Sequence, residues 1–178
     1  MNLPNILSLS RIFLLAPIII FFYKSFYLLS LIIFIIAAIT DYLDGHIARK
    51  KNLNSDQGAL LDLLSDKIFV SVLLIWMTFF FDSLLILLST ILIVSREITI
   101  SYLRLYLVSK SFSIDDVKAD ILGKLKTSFQ MIGLALVLIS PYFSDLVFYT
   151  STTFLMLSAI FSWASLLNYF KKWYENQN

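Results

Sequence analysis

Long apolar runs, broken at regular intervals by short polar stretches, set the rhythm of this chain. Six apolar segments stand out, at about residues 6–23, 26–50, 56–81, 84–108, 121–140 and 146–170, each near the ~20 residues that a helix needs to cross the hydrocarbon core of a bilayer. Polarity within the segments is patterned too. The second is uncharged from Ser25 to Thr40 and then polar, and the third is polar as far as Lys67 and then uncharged to Phe81. The fourth is uncharged from Ser83 to Ser95 and then carries Arg96, Glu97 and Arg104; the fifth begins with Lys124 and Lys126 before an uncharged run to Pro141. Consecutive spans alternate in direction, so all four polar halves fall in the same half of the bilayer. The pattern predicts an all-α, polytopic membrane protein of six transmembrane helices, with a polar cavity in one half of the membrane and an apolar closure in the other.

Composition agrees and charge adds an orientation. A chain of 178 residues that is 59% hydrophobic has no room for a separate soluble module, so residues 1–178 are expected to form one integral-membrane domain. The lack of cysteine excludes disulfides, thiolate metal sites and a Cys nucleophile. A net charge of +2 is uninformative as a total, but its distribution is not. With both termini inside, Arg11, Arg49, Lys50, Lys51, Lys67, Arg96, Arg104, Lys110, Lys118, Lys124, Lys126, Lys171 and Lys172 lie at or near the inner face and only Lys24 lies outside. The positive-inside rule therefore predicts N-in and C-in, with the cavity facing the cytoplasm. No cleavable signal, internal repeat or nucleic-acid signature is found; clustered lysines beside membrane segments mark the inner side.

The chemistry concentrates between Asp41 and Asp66, DYLDGHIARKKNLNSDQGALLDLLSD, between two strongly apolar flanks. Carboxylates at membrane depth are functional suspects, because holding them there without a partner costs several kcal/mol. Asp41 and Asp44 are i and i+3 on one helix, about 4.5 Å apart along its axis. Asp62 and Asp66 are i and i+4 on the next. The polar, turn-rich KKNLNSDQ between them makes a hairpin that can bring both pairs together. Four clustered carboxylates need a positive charge among them, and an all-oxygen set suits hard divalent ions, Mg2+ or Mn2+, here two of them. The bland alternative is a set of helix-end charges solvated in a cytosolic loop.

The full pattern, D-x2-D-G-x2-A-R-x8-G-x3-D-x3-D, is filled by Asp41, Asp44, Gly45, Ala48, Arg49, Gly58, Asp62 and Asp66. It resembles the signature of the CDP-alcohol phosphatidyltransferases without departure at these eight positions. Two of the four glycines stand inside it, although glycine costs ~1 kcal/mol against alanine in a helix interior; close approach of a ligand or neighbouring helix explains them. The resemblance implies that Gly45, Ala48, Arg49, Ser55 and Gly58 receive the cytidine diphosphate head of CDP-diacylglycerol. It also implies that Asp41, Asp44, Asp62 and Asp66 hold the metal and that Asp66 is the catalytic base. Arg49 also reads as a snorkelling arginine and Ser55 as the cap of the third helix. His46, a lone histidine, is left out of the site.

The acceptor side rests on the later helices. Glu97, Ser101 and Arg104 share one face at i, i+4 and i+7, with Arg96 adjacent, and two arginines in a membrane half-helix point to an anionic ligand. Lys124 and Lys126 diverge on an ideal helix, so one of them is expected to reach the cavity. R-E-I-x-I-S-x-L-R, G-K-x-K-T-x-x-Q-M and the N-terminal P-N-x-L-S-x-x-R, with Ser8 where threonine is usual, resemble the branch of the family that makes phosphatidylglycerophosphate. That implies glycerol 3-phosphate as acceptor, its phosphate met by Arg96, Arg104, Lys124 and Lys126, and a homodimer in the lipid bilayer of a bacterial inner membrane. The rivals are the same fold with another acceptor, as in a cardiolipin or phosphatidylinositol-phosphate synthase, and a divalent-ion or proton transporter. Trp163, Trp173, Tyr174, Tyr23, Tyr27 and Tyr142 read as interfacial aromatics. The sixth segment reads as scaffold, and Ser113-x-x-Asp116 as the cap of a short cytosolic helix.

Overall fold

The computed structural model describes residues 3–50, 56–109 and 121–175, and side chains for 8–40, 61, 63–103, 121–168, 170 and 171. Six helices form among these residues: α1 (Leu3–Tyr23), α2 (Tyr27–Lys50), α3 (Asp56–Phe81), α4 (Leu84–Ser109), α5 (Ile121–Ile139) and α6 (Asp145–Glu175), with a 3-10 turn at Ser140–Tyr142 before α6. The apolar runs set the bounds at most ends. The exception is α6, which continues past Phe170 through Lys171 and Lys172, because lysine and glutamate are good helix formers and extend the helix beyond its apolar part. Pro17 lies inside α1 without ending it. The stretch with the Ser113 cap lies outside the described residues.

The described connections, α1–α2, α3–α4 and α5–α6, are short, so the helices they join run antiparallel. The α1–α2 turn is a Schellman closure: the Phe26 amide donates to the Phe21 carbonyl at 2.8 Å and the Ser25 amide to the Phe22 carbonyl at 2.9 Å. Ser25 takes the left-handed conformation at φ 64°, and the Phe21 and Phe26 rings meet edge-on at 6.4 Å, the apolar contact that accompanies this motif. Asp82, at φ 44°, marks the α3–α4 turn. Within the α1–α2 hairpin the buried Ser30 hydroxyl donates to the Ile18 carbonyl at 2.9 Å.

One end of the bundle is sealed by aromatic rings. Phe22, fully buried, packs edge-on against Tyr27, Trp76 and Phe80 with centroids 4.9–5.1 Å away. Tyr27 meets Tyr142 at 5.1 Å and Phe81 meets Phe148 at 5.1 Å, drawing the 3-10 turn and α6 into the same plug. Tyr27 and Tyr142 thus pack against each other across helices, a contact beyond the interfacial role expected of them. Below the plug, Leu73, Leu74, Met77, Ile86, Leu134, Leu138 and Leu155 are wholly buried. Between α5 and α6 a Cβ built on Gly133 meets the Leu155 side chain at 2.9 Å and its backbone nitrogen at 3.2 Å. Glycine is what lets these two helices approach so closely.

The outer surface is apolar in turn. Phe13, Phe79, Ile98 and Leu146 are each at least 66% exposed, a surface that suits lipid and not water. Four helices are long and apolar enough to cross a membrane, over Leu63–Phe81, Leu84–Leu103, Ile121–Tyr142 and Asp145–Asn168, and α1 and α2 contain shorter apolar stretches at Ser8–Tyr23 and Tyr27–Thr40. The chain is an all-helical integral membrane protein.

Candidate active site

The alternation of helices brings the start of α1, the end of α2, the start of α3, the end of α4 and the start of α5 to the end opposite the aromatic plug. The acidic arms are α2 and α3. They meet where Phe34 and Phe69 stack at 5.9 Å with their planes 21° apart. Asp41 stands seven positions beyond Phe34, and Asp62 seven positions before Phe69. Seven residues make nearly two helical turns, about 10 Å along each helix. Asp44 lies one turn further out on α2 and Asp66 one turn further in on α3. Of these four only the Asp66 side chain is described; it is exposed and lies near enough to Lys126 for their opposite charges to interact. The side chains of Asp41, Asp44, Ala48, Arg49, Asp62 and Arg104 lie outside the described set, Gly45 and Gly58 are described only as helix backbone, and Ser55 lies outside altogether.

The basic arms, α4 and α5, converge on Glu97. Its Oε1 accepts from Arg96 Nη1 at 2.9 Å and from the Lys126 ammonium, and Oε2 lies 3.6 Å from Lys67 Nζ. Lys67 also donates to the Glu97 carbonyl at 3.0 Å and to the Ser101 hydroxyl, which itself donates to that carbonyl at 2.6 Å. One largely buried carboxylate therefore gathers cations from three helices. Burying this many charges is costly unless they are paired and hydrogen-bonded, and each of the four is.

The expected acceptor residues separate in this arrangement. Lys126 is three-quarters or more buried and engaged with Glu97, whereas Lys124 is exposed, which settles which of the divergent pair turns inward. Arg96 is 5% exposed, with its Nε donating to the Ser162 carbonyl of α6 at 3.0 Å and its Nη1 to Glu97. Its guanidinium clamps α4 to α6. Trp163 makes a second clamp, its indole donating to the Leu92 carbonyl at 3.0 Å and its ring packing with Ile100, Leu103 and Leu166. Beyond the interfacial role expected of it, Trp163 thus bonds α6 to α4. Its neighbours Trp173 and Tyr174 lie outside the described side chains. α6 is more than scaffold: the Ser158 hydroxyl donates to the Lys126 carbonyl at 2.8 Å, fixing α5 beside the charge cluster.

Sequence reasoning missed Lys67, which it counted only among the inner cations. Its signal was its place directly after Asp66, on a helix whose following residues are all uncharged. Arg11 is also buried at this end, 1% exposed.

The chain is similar to known proteins along most of its length. A family model described as CDP-alcohol phosphatidyltransferase matches residues 1–167. This chain belongs to the CDP-alcohol phosphatidyltransferase family. Among its relatives in the family, the protein named CDP-diacylglycerol–glycerol-3-phosphate 3-phosphatidyltransferase of Wigglesworthia glossinidia brevipalpis is 35% identical over 175 residues, 96% of this chain and 93% of the relative. Proteins of the same name from Salmonella choleraesuis (strain SC-B67) and Aquifex aeolicus (strain VF5) are 33% and 38% identical, over 94% and 75% of this chain and 92% and 74% of their own. In this CDP-alcohol phosphatidyltransferase the eight positions of the acidic motif, from Asp41 to Asp66, lie on α2 and α3.

Proposed function

We propose that this protein transfers a phosphatidyl group from CDP-diacylglycerol to glycerol 3-phosphate, giving phosphatidylglycerophosphate and CMP. The observation that carries the reading is the near-full-length likeness to proteins bearing that name, joined to the intact acidic motif in the sequence. In the transfer, the primary hydroxyl oxygen of the acceptor forms a bond to the phosphorus on the lipid side of the pyrophosphate. The P–O bond to the CMP phosphate breaks and CMP departs with its electrons. Asp66, exposed at the end of α3's polar part, takes the hydroxyl proton.

The donor set fits a metal. Asp41, Asp44, Asp62 and Asp66 offer only oxygen, the choice of Mg2+ or Mn2+, and would hold two such ions. When bound, these neutralise the pyrophosphate and the charge that develops on the departing CMP. Gly45, Ala48 and Gly58 leave the facing helices bare for the nucleotide, with Ser55 and Arg49 toward its polar groups, Arg49 as a multi-donor cation for phosphate. The charge cluster favours an anionic acceptor, since three cations, Arg96, Lys126 and Lys67, gather around the Glu97 carboxylate. Lys126 and Arg104 meet the acceptor's phosphate with Lys124 at the mouth, and Arg96 adds its charge from behind. The chain forms one domain of six spans, N-in and C-in, in a bacterial inner membrane with the site open to the cytoplasm, and works as a homodimer.

The test is CMP release by purified protein in mixed micelles. Release should require CDP-diacylglycerol, glycerol 3-phosphate and a divalent ion together, and D44N or D62N should lower it by at least about a thousandfold. Full turnover in EDTA, or release with inositol phosphate or phosphatidylglycerol but not glycerol 3-phosphate, would refute it.

A further inference from the structure

Nothing in the acidic motif or in the likeness to relatives gives Glu97 a role, yet its carboxylate meets three cations. It sits on α4, pairs with Lys126 of α5 through one oxygen, and stands 3.6 Å from Lys67 of α3 through the other. Lys67 follows Asp66 directly in the chain, and its ammonium is held a second and third time by the Glu97 carbonyl and the Ser101 hydroxyl. α4 therefore grips α3 one residue away from the proposed base, and the same side chain grips the cation of α5 that faces the acceptor.

We infer that Glu97 is a positioning residue: its carboxylate fixes Lys126 and Lys67 relative to each other, and so fixes the acceptor's phosphate relative to Asp66. The inference rests on the proposed transfer to glycerol 3-phosphate. Two ammonium groups drawn to one small volume repel each other unless an anion stands between them. Before the acceptor arrives, Glu97 is that anion, and it prevents the lysine stems from swinging apart into other rotamers. Arg96 does not substitute for it, because its Nε is committed to the Ser162 carbonyl and a guanidinium cannot accept a hydrogen bond. The arrangement makes a specific claim: Glu97 matters to the acceptor and not to the lipid donor.

The experiment measures CMP release from full-length E97Q and E97D in mixed micelles with divalent ion, varying each substrate at saturation of the other. E97Q should raise the KM for glycerol 3-phosphate by about tenfold to a hundredfold, the effect of losing one charge-assisted hydrogen bond, and leave the KM for CDP-diacylglycerol within about twofold. E97D, which keeps the charge on a shorter stem, should recover part of the loss. In a cycle with K126Q, the double variant should be no worse than the poorer single variant, because Glu97 acts through Lys126. A lower yield or melting temperature with unchanged acceptor KM overturns the inference in favour of a purely structural role. A lower acceptor KM overturns it differently, by showing that Glu97 merely repels the phosphate. Should E97Q fail to accumulate in membranes, E97D carries the test, with a selective rise in acceptor KM still expected and its absence decisive against. If wild-type protein releases no CMP with glycerol 3-phosphate, the proposed function falls and this inference with it; if wild type does and the variants match it, only the inference falls.

Discussion

Arg96 is the residue for which sequence and structure give different experimental forecasts. Read from spacing alone it is an acceptor-binding arginine; in the structure it holds two helices together. R96Q removes the hydrogen bond from Nε to the Ser162 carbonyl, 3.0 Å, and that from Nη1 to Glu97, 2.9 Å. A hydrogen bond between charged groups contributes about 1.5–3 kcal/mol and one to a neutral carbonyl about 0.5–1.5 kcal/mol, so the loss is about 2–4.5 kcal/mol. Glu97 keeps Lys126 and Lys67 as partners, which keeps the cost from rising further. For a chain of this size 1 kcal/mol moves the melting temperature by about 2–4 °C, so R96Q should melt about 4–18 °C lower in detergent. R96K, able to satisfy only one of the two acceptors, should fall between. The assay is intrinsic-fluorescence melting beside steady-state CMP release on the folded fraction, where the acceptor KM should change less than about threefold. A melting temperature equal to wild type, with an acceptor KM raised tenfold or more, would refute the clamp and restore Arg96 to the phosphate.

Three other outcomes follow from single contacts. G133A gains about 1 kcal/mol in helix propensity but drives a methyl to 2.9 Å from fully buried Leu155; overpacking of about 1–3 kcal/mol should leave it destabilised on thermal melting, and G133L far more so. S25G relieves a non-glycine residue at φ 64° and should stabilise by about 1 kcal/mol, seen as a higher melting temperature with unchanged turnover. Protein reconstituted in sealed vesicles should carry no Mn2+ inward in the absence of CDP-lipid, as read by quenching of a trapped dye; metal-dependent quenching above empty vesicles would favour the transporter reading.

The helices were legible because alternation of apolar runs with turns is a long-range signal that lipid enforces: a span must be apolar over most of its length and a connection need not be. The motif was equally plain, since Asp41 to Asp66 sets acidic pairs at helical spacing. What escaped was partnership. Arg96 and Glu97 are adjacent, so they point about 100° apart on α4, and spacing does not say which faces α3 and α5 and which faces α6. Only the packing of α6, with Ser162 brought beside Arg96, decides it. Lys124 and Lys126 posed the same problem on α5, and Ser158 and Glu97 resolve it. The Trp163 bond to α4 was not legible because its partner, the carbonyl of Leu92 on a neighbouring helix, is invisible in the sequence.

The two ends of the bundle divide the work. At the plug, Phe22, Tyr27, Trp76, Phe80 and Phe81 interlock edge to face, and the hydroxyls of Ser30, Thr78 and Ser89 are turned onto backbone carbonyls. No line of open polar groups crosses it among the described residues, so an ion entering from the charged end would have to shed its water against rings. That rigidity serves the opposite end. Four helices anchored at one end can each lend only a few residues to the other, and those residues need no fold of their own to be held in register. The acidic pair of arms and the basic pair then differ in charge but share a frame, and the side chains seen joining them, Lys67 on α3 and Glu97 on α4, cross the seam one residue from Asp66. A shift of α4 against α3 would therefore move Glu97 relative to Lys67 and Asp66, the geometry on which the proposed transfer depends.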